Sequence, residues 1–338
     1  MKTSLLLFAL TLTIRLTGQT TNNTNDDRIA QVLAEPSDQE IAEVLSELRK
    51  QDLTPKEVVL HDSILLSNSN KLYILSHEAE GLTHYGAIVV PTKNKSNKLP
   101  VIVFATGGDG MSKEFNVDWD FNHAAAKFPS FLGEKLDDKF IVVIPSFRGQ
   151  QLTIGEKKYQ SEGNVNDAFG GATTDALALL NVTLKCFEQA DENRIAIYGG
   201  SRGGTVALLA SARDNRIKRA IAIAAPTDMK ALYQLYPGQF KLLFFNDLLS
   251  GKITQKEARK KFIAISPVYF AKELTMVQLH HDKNDPFVPI EFAEELIKSA
   301  KANGKNIEAH FYDEGIHGFW GDGNYWNRVQ DFLKPLLE

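Results

Sequence analysis

The chain has 338 residues, 43% of them hydrophobic and 24% charged, the composition of a globular protein with a sizeable core rather than of a disordered one. A formal net charge of -4 supplies no broad positive field, so a nucleic acid or an anionic membrane has no electrostatic support as a partner. The single cysteine, Cys186, excludes an intramolecular disulfide and any zinc site built on paired cysteines.

Lys2 precedes an apolar run from Leu5 to Leu12, and Thr17, Gly18, Gln19 and Thr20 follow. That order of charged, apolar and small polar regions predicts a secretory signal over residues 1–20 and an exported protein, periplasmic or secreted. The run stops at Arg15, short of the roughly 18 apolar residues a membrane span requires, so no span is expected after processing. Thr20 to Asp27 is a polar stretch without an apolar face, and residues 21–36 are expected to be a linker. Residues 37–338 are expected to form one domain with a helical and antiparallel N-terminal extension.

That extension opens at Ser37, where a Ser cap and Glu40 three residues later precede Ile41, Val44, Leu45 and Leu48 at helical spacing through Lys50. Val58 to Leu60, Leu72 to Leu75 and Tyr85 to Pro91 then read as strands of an antiparallel edge. From Pro100 the rhythm changes to five apolar bursts: Val101 to Ala105, Ile141 to Ile144, Ile195 to Tyr198, Ile221 to Ala225 and Val277 to Leu279. Each is short and uniformly apolar, as a parallel strand buried on both faces must be. Helix-length stretches lie between them, including Thr174 to Phe187 and Pro289 to Ala300. Strand–helix alternation predicts an α/β fold, a mostly parallel sheet with helices on both faces. Met229 to Phe262, longer than a simple crossover, predicts a helical insertion before the last burst.

The chemistry concentrates in three places. Gly199-Gly200-Ser201-Arg202-Gly203 lies directly after one burst and directly before the apolar helix Thr205 to Ala212, the context of a nucleophile elbow. Such a turn exposes a serine hydroxyl, lets glycines bring helix and strand close, and aims the N–H groups of a helix N-terminus at a developing oxyanion. A serine hydroxyl needs a base to take its proton and a carboxylate to orient that base. His317, in Gly315-Ile316-His317-Gly318-Phe319, meets the first need; Asp285, after the burst Val277 to Leu279, and Asp228, after Ile221 to Ala225, are candidates for the second. His280 and His281 adjoin Asp282 and Asp285, but a closed ligand set at metal spacing is lacking, so they read as structural, with no metal. His61, His77, His84, His123 and His310 read as packing or surface residues.

The elbow, the stretch from His281 through Asp285 to Val288-Pro289, and the Gly-x-His-Gly-Phe stretch ending at Phe319 together resemble the catalytic domain of prolyl-oligopeptidase-like serine hydrolases, of the α/β-hydrolase superfamily. Pro145-Ser146-Phe147-Arg148-Gly149 is similar to that family's Tyr-Arg-Gly segment, and Asp175 and Ser266-Pro267 match further positions. The resemblance implies the α/β-hydrolase fold over about the last 240 residues, with a triad of Ser201, Asp285 and His317 and without a cofactor. It also implies an oxyanion hole made by Arg202 N–H and a second N–H from Gly108 or Asp109. Arg148 and Asp175 are then buried structural partners.

Two departures from the pattern bear on function. Thr106 stands where the family has His before Gly107-Gly108, and the N-terminal part is too short for the β-propeller that family peptidases carry. The expectation is therefore an esterase that acts through an acyl-enzyme on small or carbohydrate esters. An exo- or oligopeptidase is the alternative, and a catalytically inactive hydrolase fold used for binding is a third reading. The partner is a small-molecule ester or a peptide. Tyr233, Tyr236, Phe240 and Phe244 of the insertion are candidates for an apolar substrate wall, against the alternative that they pack the insertion onto the body.

Overall fold

Short apolar runs alternating with amphipathic stretches resolve, in a computed structural model describing residues 23–67, 70–93, 98–108, 116–117, 138–318 and 323–338, into a nine-stranded sheet layered with helices. In chain order the elements are α1 (Asn23–Val32), α2 (Asp38–Arg49), β1 (Lys56–Ser67), β2 (Asn70–Ala79), β3 (Leu82–Pro91), β4 (Leu99–Ala105), β5 (Asn116–Val117), β6 (Ile141–Ser146), β7 (Gln151–Ile154) and β8 (Lys157–Gln160). There follow α3 (Gly170–Cys186), β9 (Ala190–Gly200), α4 (Arg202–Arg213), β10 (Ile217–Ile223), α5 (Met229–Leu235), α6 (Pro237–Leu249), α7 (Gln255–Ala264), β11 (Met276–Asp282), α8 (Glu291–Ala302), β12 (Ile307–Tyr312) and α9 (Gly323–Leu333).

The sheet runs β1-β2-β3-β6-β4-β9-β10-β11-β12. Its first three strands pair antiparallel, with His77 opposite His84 in the β2–β3 register, and all pairs from β6 to β12 are parallel. Every residue of β4 and of β6 is buried, which is why both read as continuous apolar runs. Successive side chains still point to opposite faces: Val101, Val103 and Ala105 join the core beneath α3, α4 and α8, while Ile102 and Phe104 join the core beneath α9. The strands β5, β7 and β8 form a separate small sheet, from which Leu152 and Ile154 pack into the second core.

Sequence expectations meet the structure unevenly. The Ser37 capping box opens α2 as the pattern requires, and the insertion forms α5, α6 and α7. The helix expected from Thr174 begins four residues earlier, at Gly170, where the Asp167 carboxylate accepts from Gly171 N–H at 2.8 Å. Residues 21–36, expected as a linker, carry α1 instead. Its Ile29 and Val32 are buried, and Arg259 of α7 donates to the carbonyls of Gln31, Val32 and Ala34 at its end. Tertiary packing, invisible in a polar sequence, makes that helix. Residues 1–20, expected as a signal, lie outside the described residues. Among the described residues no helix is long and apolar enough to cross a membrane.

Candidate active site

From β4 the chain moves to one side to form β6, then returns past β4 to form β9 on its other side. The carboxyl ends of β4 and β9 therefore flank a switch point, where an open α/β sheet leaves a crevice. Thr106 to Gly108 follow β4 there, and Ser201 follows β9.

Ser201 has φ 52° and ψ -124°, a conformation costing about 1–3 kcal/mol that persists only where surroundings enforce it. Several contacts do so. Ser201 N–H donates to Ile223 O of β10 at 2.7 Å, and its carbonyl accepts from Gly204 N–H at 2.9 Å. A Cβ on Gly199 would stand 2.2 Å from Gly203 O, and one on Gly203 would stand 2.1 Å from Ala105 O. Only glycine permits α4 to approach β9 and β4 so closely.

His317 and Asp285 arrive on the loops after β12 and β11. His317 Nε2 lies 2.9 Å from Ser201 Oγ, and His317 Nδ1 lies 2.8 Å from Asp285 Oδ2. The other carboxylate oxygen accepts from the N–H groups of Phe287 at 2.8 Å and Val288 at 2.9 Å. Burial by itself would raise the Asp285 pKa; the hydrogen bonds from His317, Val288 and Phe287 outweigh it and hold the carboxyl below its ordinary range. Asp285 is thus an ionised acceptor facing the imidazole.

Sequence reasoning missed the residue that joins the two loops. Asp282, fully buried at the end of β11, accepts from Glu314 N–H at 2.6 Å and Gly315 N–H at 3.1 Å, and from Asn284 N–H at 2.8 Å. It ties the His317 loop to the Asp285 loop. The available signal was its place at the end of an apolar strand, three residues before the acid. His281 supports the same loop: its Nε2 lies 2.7 Å from Val288 O, and burial lowers its pKa, so the neutral ring donates that hydrogen. His280 is held between Tyr312 Oη at 2.7 Å and Gln278 Oε1 at 2.9 Å.

On the opposite side of Ser201, Arg202 occupies the first turn of α4, where an α-helix leaves its N–H groups without intrahelical acceptors. Its guanidinium is buried, donates to Gly107 O at 3.1 Å and lies 5.1 Å over the Phe147 ring. With the Gln150 amide oriented oxygen-inward, that oxygen also accepts from Arg202 Nη2 at 2.7 Å. Gly107 is pinned against the elbow, and a Cβ there would lie 3.7 Å from Ser201 Cβ. The next residue, Gly108, takes φ 122°; Asp109 lies outside the described residues.

The remaining candidates separate cleanly. Asp228 caps α5, its Oδ1 accepting from Lys230 and Ala231 N–H at 2.8 and 3.1 Å; the imidazole meets Asp285 instead. Arg148 and Asp175 are buried partners, with Arg148 Nη2 2.7 Å from Asp175 Oδ1 and further pairs to Asp167 and Glu80. Of the four aromatics, Tyr236 reaches the acid loop, its hydroxyl donating to Phe287 O at 2.9 Å. Tyr233 stands edge-on to Phe245, and Phe240 stacks on Phe244, which meets Phe169 and Phe262. Phe244 thus ties the insertion to the body through Phe169, while these ring contacts of Tyr233 and Phe240 lie within the insertion.

A mostly parallel sheet carrying a serine elbow, with a histidine and a carboxylate on its later strand ends, defines an α/β-hydrolase fold. The sequence matches the prolyl oligopeptidase family over residues 119–337, and the chain belongs to that family of serine hydrolases. It is 25% identical over 233 residues to the inactive dipeptidyl peptidase 10 of Rattus norvegicus, a match covering 67% of this chain and 26% of that one, so the chain spans about a quarter of this relative's length. Its fold is similar to acetyl xylan esterase 1 from a Thermoanaerobacterium species, with a TM-score of 0.60 and 15% identity over 92% of this chain and 99% of that one. It is also similar to the acylaminoacyl peptidase of Pyrococcus horikoshii, with a TM-score of 0.55 and 19% identity over 80% of this chain and 40% of that one.

Proposed function

We propose that the protein is a serine hydrolase working through an acyl-enzyme on carboxylic esters of small molecules or carbohydrates. One observation carries this reading: the unbroken chain from Ser201 Oγ to His317 Nε2 at 2.9 Å and from His317 Nδ1 to Asp285 at 2.8 Å. With Asp285 ionised, the imidazole hydrogen sits on Nδ1 and the Nε2 lone pair faces the serine. Ser201 Oγ attacks the acyl carbon as its proton passes to Nε2. The resulting oxyanion is assigned to Arg202 N–H and Gly108 N–H. Collapse expels the alcohol, which takes the proton from Nε2; a water molecule then repeats the sequence and releases the acid.

Ester preference draws support from the likeness to the acetyl xylan esterase, which extends over 92% of this chain and so takes in most of the antiparallel extension. Membership of the prolyl oligopeptidase family favours a second reading, a peptidase. A panel of nitrophenyl acyl esters and aminoacyl nitroanilides, with Ser201→Ala as blank, separates the two. Faster ester turnover is expected, and the reverse order would move the assignment to peptidase. Absence of labelling by a fluorophosphonate would leave only the binding-protein reading. We also place the protein outside the cytoplasm, on the charged, apolar and small polar order of residues 1–20; N-terminal sequencing of the product recovered outside the cytoplasm tests this.

A further inference from the structure

The peptide unit that joins Gly107 to Gly108 has glycine on both sides, and Gly108 takes φ 122°. With no Cβ to hold it, such a unit can turn over and exchange the directions of its carbonyl and its N–H. In an oxyanion hole that exchange would aim a carbonyl oxygen where a donor is needed.

The side chain of Arg202 opposes it. A trans peptide is planar, so the Gly107 carbonyl and the Gly108 N–H point in opposite directions and move together. The Arg202 guanidinium donates to Gly107 O at 3.1 Å, and the guanidinium is itself held. It is buried and lies 5.1 Å over the Phe147 ring. In the oxygen-inward orientation of the Gln150 amide, that oxygen accepts from Nη2 at 2.7 Å and from Nη1 at 3.2 Å. Gly107 also rests against the elbow, where a Cβ would lie 3.0 Å from Gly200 O. Gly108 N–H, directed away from the guanidinium, meets no acceptor among the described residues. A charged donor on the carbonyl also polarises the unit, which makes the N–H across it a stronger donor.

We propose that the Arg202 side chain is a positioning group for the oxyanion hole, locking the Gly107–Gly108 peptide against turning over and strengthening its N–H. One residue then serves both donors, the first through its own main chain and the second through its guanidinium. This rests on the serine hydrolase reading above and not on its ester preference.

Turnover of nitrophenyl acetate is measured in the full-length wild type, Arg202→Met, Arg202→Lys and Gln150→Leu, per site labelled to completion by a fluorophosphonate. The inhibition constant of phenethyl trifluoromethyl ketone, whose adduct with the serine carries the oxyanion, is measured alongside. Loss of a whole oxyanion donor costs about 10²–10³ in kcat. Arg202→Met keeps the main-chain N–H and loses the lock, so kcat should fall by about 10–100-fold with KM within about twofold. The ketone should weaken by the same factor as kcat/KM. Arg202→Lys still brings a charged donor towards Gly107 O and should recover part of the loss. Gln150→Leu lies outside the elbow and frees one end of the guanidinium; it should lose about three- to tenfold by both measures, and it decides the matter should Arg202→Met leave no labelled sites. A per-site kcat unchanged in these variants, a loss carried by KM alone, a fall in kcat without weaker ketone binding, or an Arg202→Lys no better than Arg202→Met would each overturn the inference while leaving the hydrolase reading standing. A wild type that cleaves aminoacyl nitroanilides and not the ester would end the ester preference alone, and the nitroanilide then supplies the same comparison. Absence of fluorophosphonate labelling in the wild type would overturn the hydrolase reading and the inference with it.

Discussion

In the proposed mechanism Ser201 carries an ordinary alcohol until His317 accepts its proton, so three side chains would act as one unit and the loss of any one should remove most of the rate. Ser201→Ala should leave the fold intact and lower kcat by several orders of magnitude, about 10⁶ in a protease with the same constellation; turnover of nitrophenyl acetate measures it. Asp285→Asn keeps an oxygen to accept from the Phe287 and Val288 N–H groups, but its amide N–H faces His317 Nδ1 and selects the wrong tautomer, a change that costs about 10⁴ elsewhere. Asp228→Asn should retain turnover, since Asn caps a helix as well as Asp, whereas Asp228→Ala should lower stability by about 0.5–2 kcal/mol without changing kcat. Loss of turnover in the Asp228 variants with retention in Asp285→Asn would reverse the assignment. The three residues that meet in the candidate site were legible because glycines and strand ends frame them in the sequence. Asp282 and Gln150 were not, because their partners are the main chain at 314–315 and a buried guanidinium; the first juxtaposition arises only once β11 and β12 pair with Asp282 opposite Tyr312, and the second only once the chain after β6 meets the helix after β9.

The elements that place these side chains depend on two devices of different visibility. The elbow glycines are readable from sequence, and their effect is steric: a Cβ at Gly203 would meet the main chain at Ala105 O, 2.1 Å away, so α4 must move off the sheet. Gly203→Ala should cost at least about 1–3 kcal/mol as overpacking does and displace the Arg202 N–H, lowering kcat as well as the melting temperature. The parallel strands were equally legible, since burial on both faces demands unbroken apolar runs. By contrast α1 was read as linker, because a ten-residue helix with two buried apolar side chains has too little periodicity to declare itself. Arg259 helps to hold it, donating to four carbonyls at and beyond its end and pairing with Glu40 of α2. Arg259→Met keeps the aliphatic stem and removes those bonds. It should open residues 23–36 to limited proteolysis while hydrolysis of nitrophenyl acetate continues at the wild-type rate; unchanged protection would mean that Ile29 and Val32, with the Arg28 bond to Leu248 O and the Gln31 bond to Gln255, secure the helix without it.

At the scale of the whole molecule, the buried histidines couple folding to pH. His77 and His84 face each other across β2 and β3 with ring centroids 5.9 Å apart, and His280 and His281 lie side by side at the end of β11. Burial lowers the pKa of all four, and it holds His77 at about 4. The neighbouring Asp175 carboxylate, 3.5 Å from His84 Nε2, opposes the shift without cancelling it. In the unfolded chain each ring takes a proton near the ordinary value of about 6.5, whereas in the folded chain it resists. The unfolded state therefore binds more protons in this window, and stability rises with pH. The contribution is complete above about pH 6.5 and is lost as the pH falls below it, for His77 down to about pH 4, at up to about 1.4 kcal/mol per pH unit for each ring. Asp285, whose carboxyl is held low, loses its contribution only below its ordinary range near 3.8, so the two effects occupy separate windows. Denaturant midpoints measured from pH 7 to pH 4.5 should therefore fall steeply, and more steeply than one titrating group allows. His77→Leu removes one proton-binding ring from the unfolded chain and should flatten the slope between pH 6.5 and 4.5 whatever it does to stability at pH 7. A wild-type midpoint that stays level over this range, or a slope untouched by His77→Leu, would show that these rings are protonated in the folded chain without penalty.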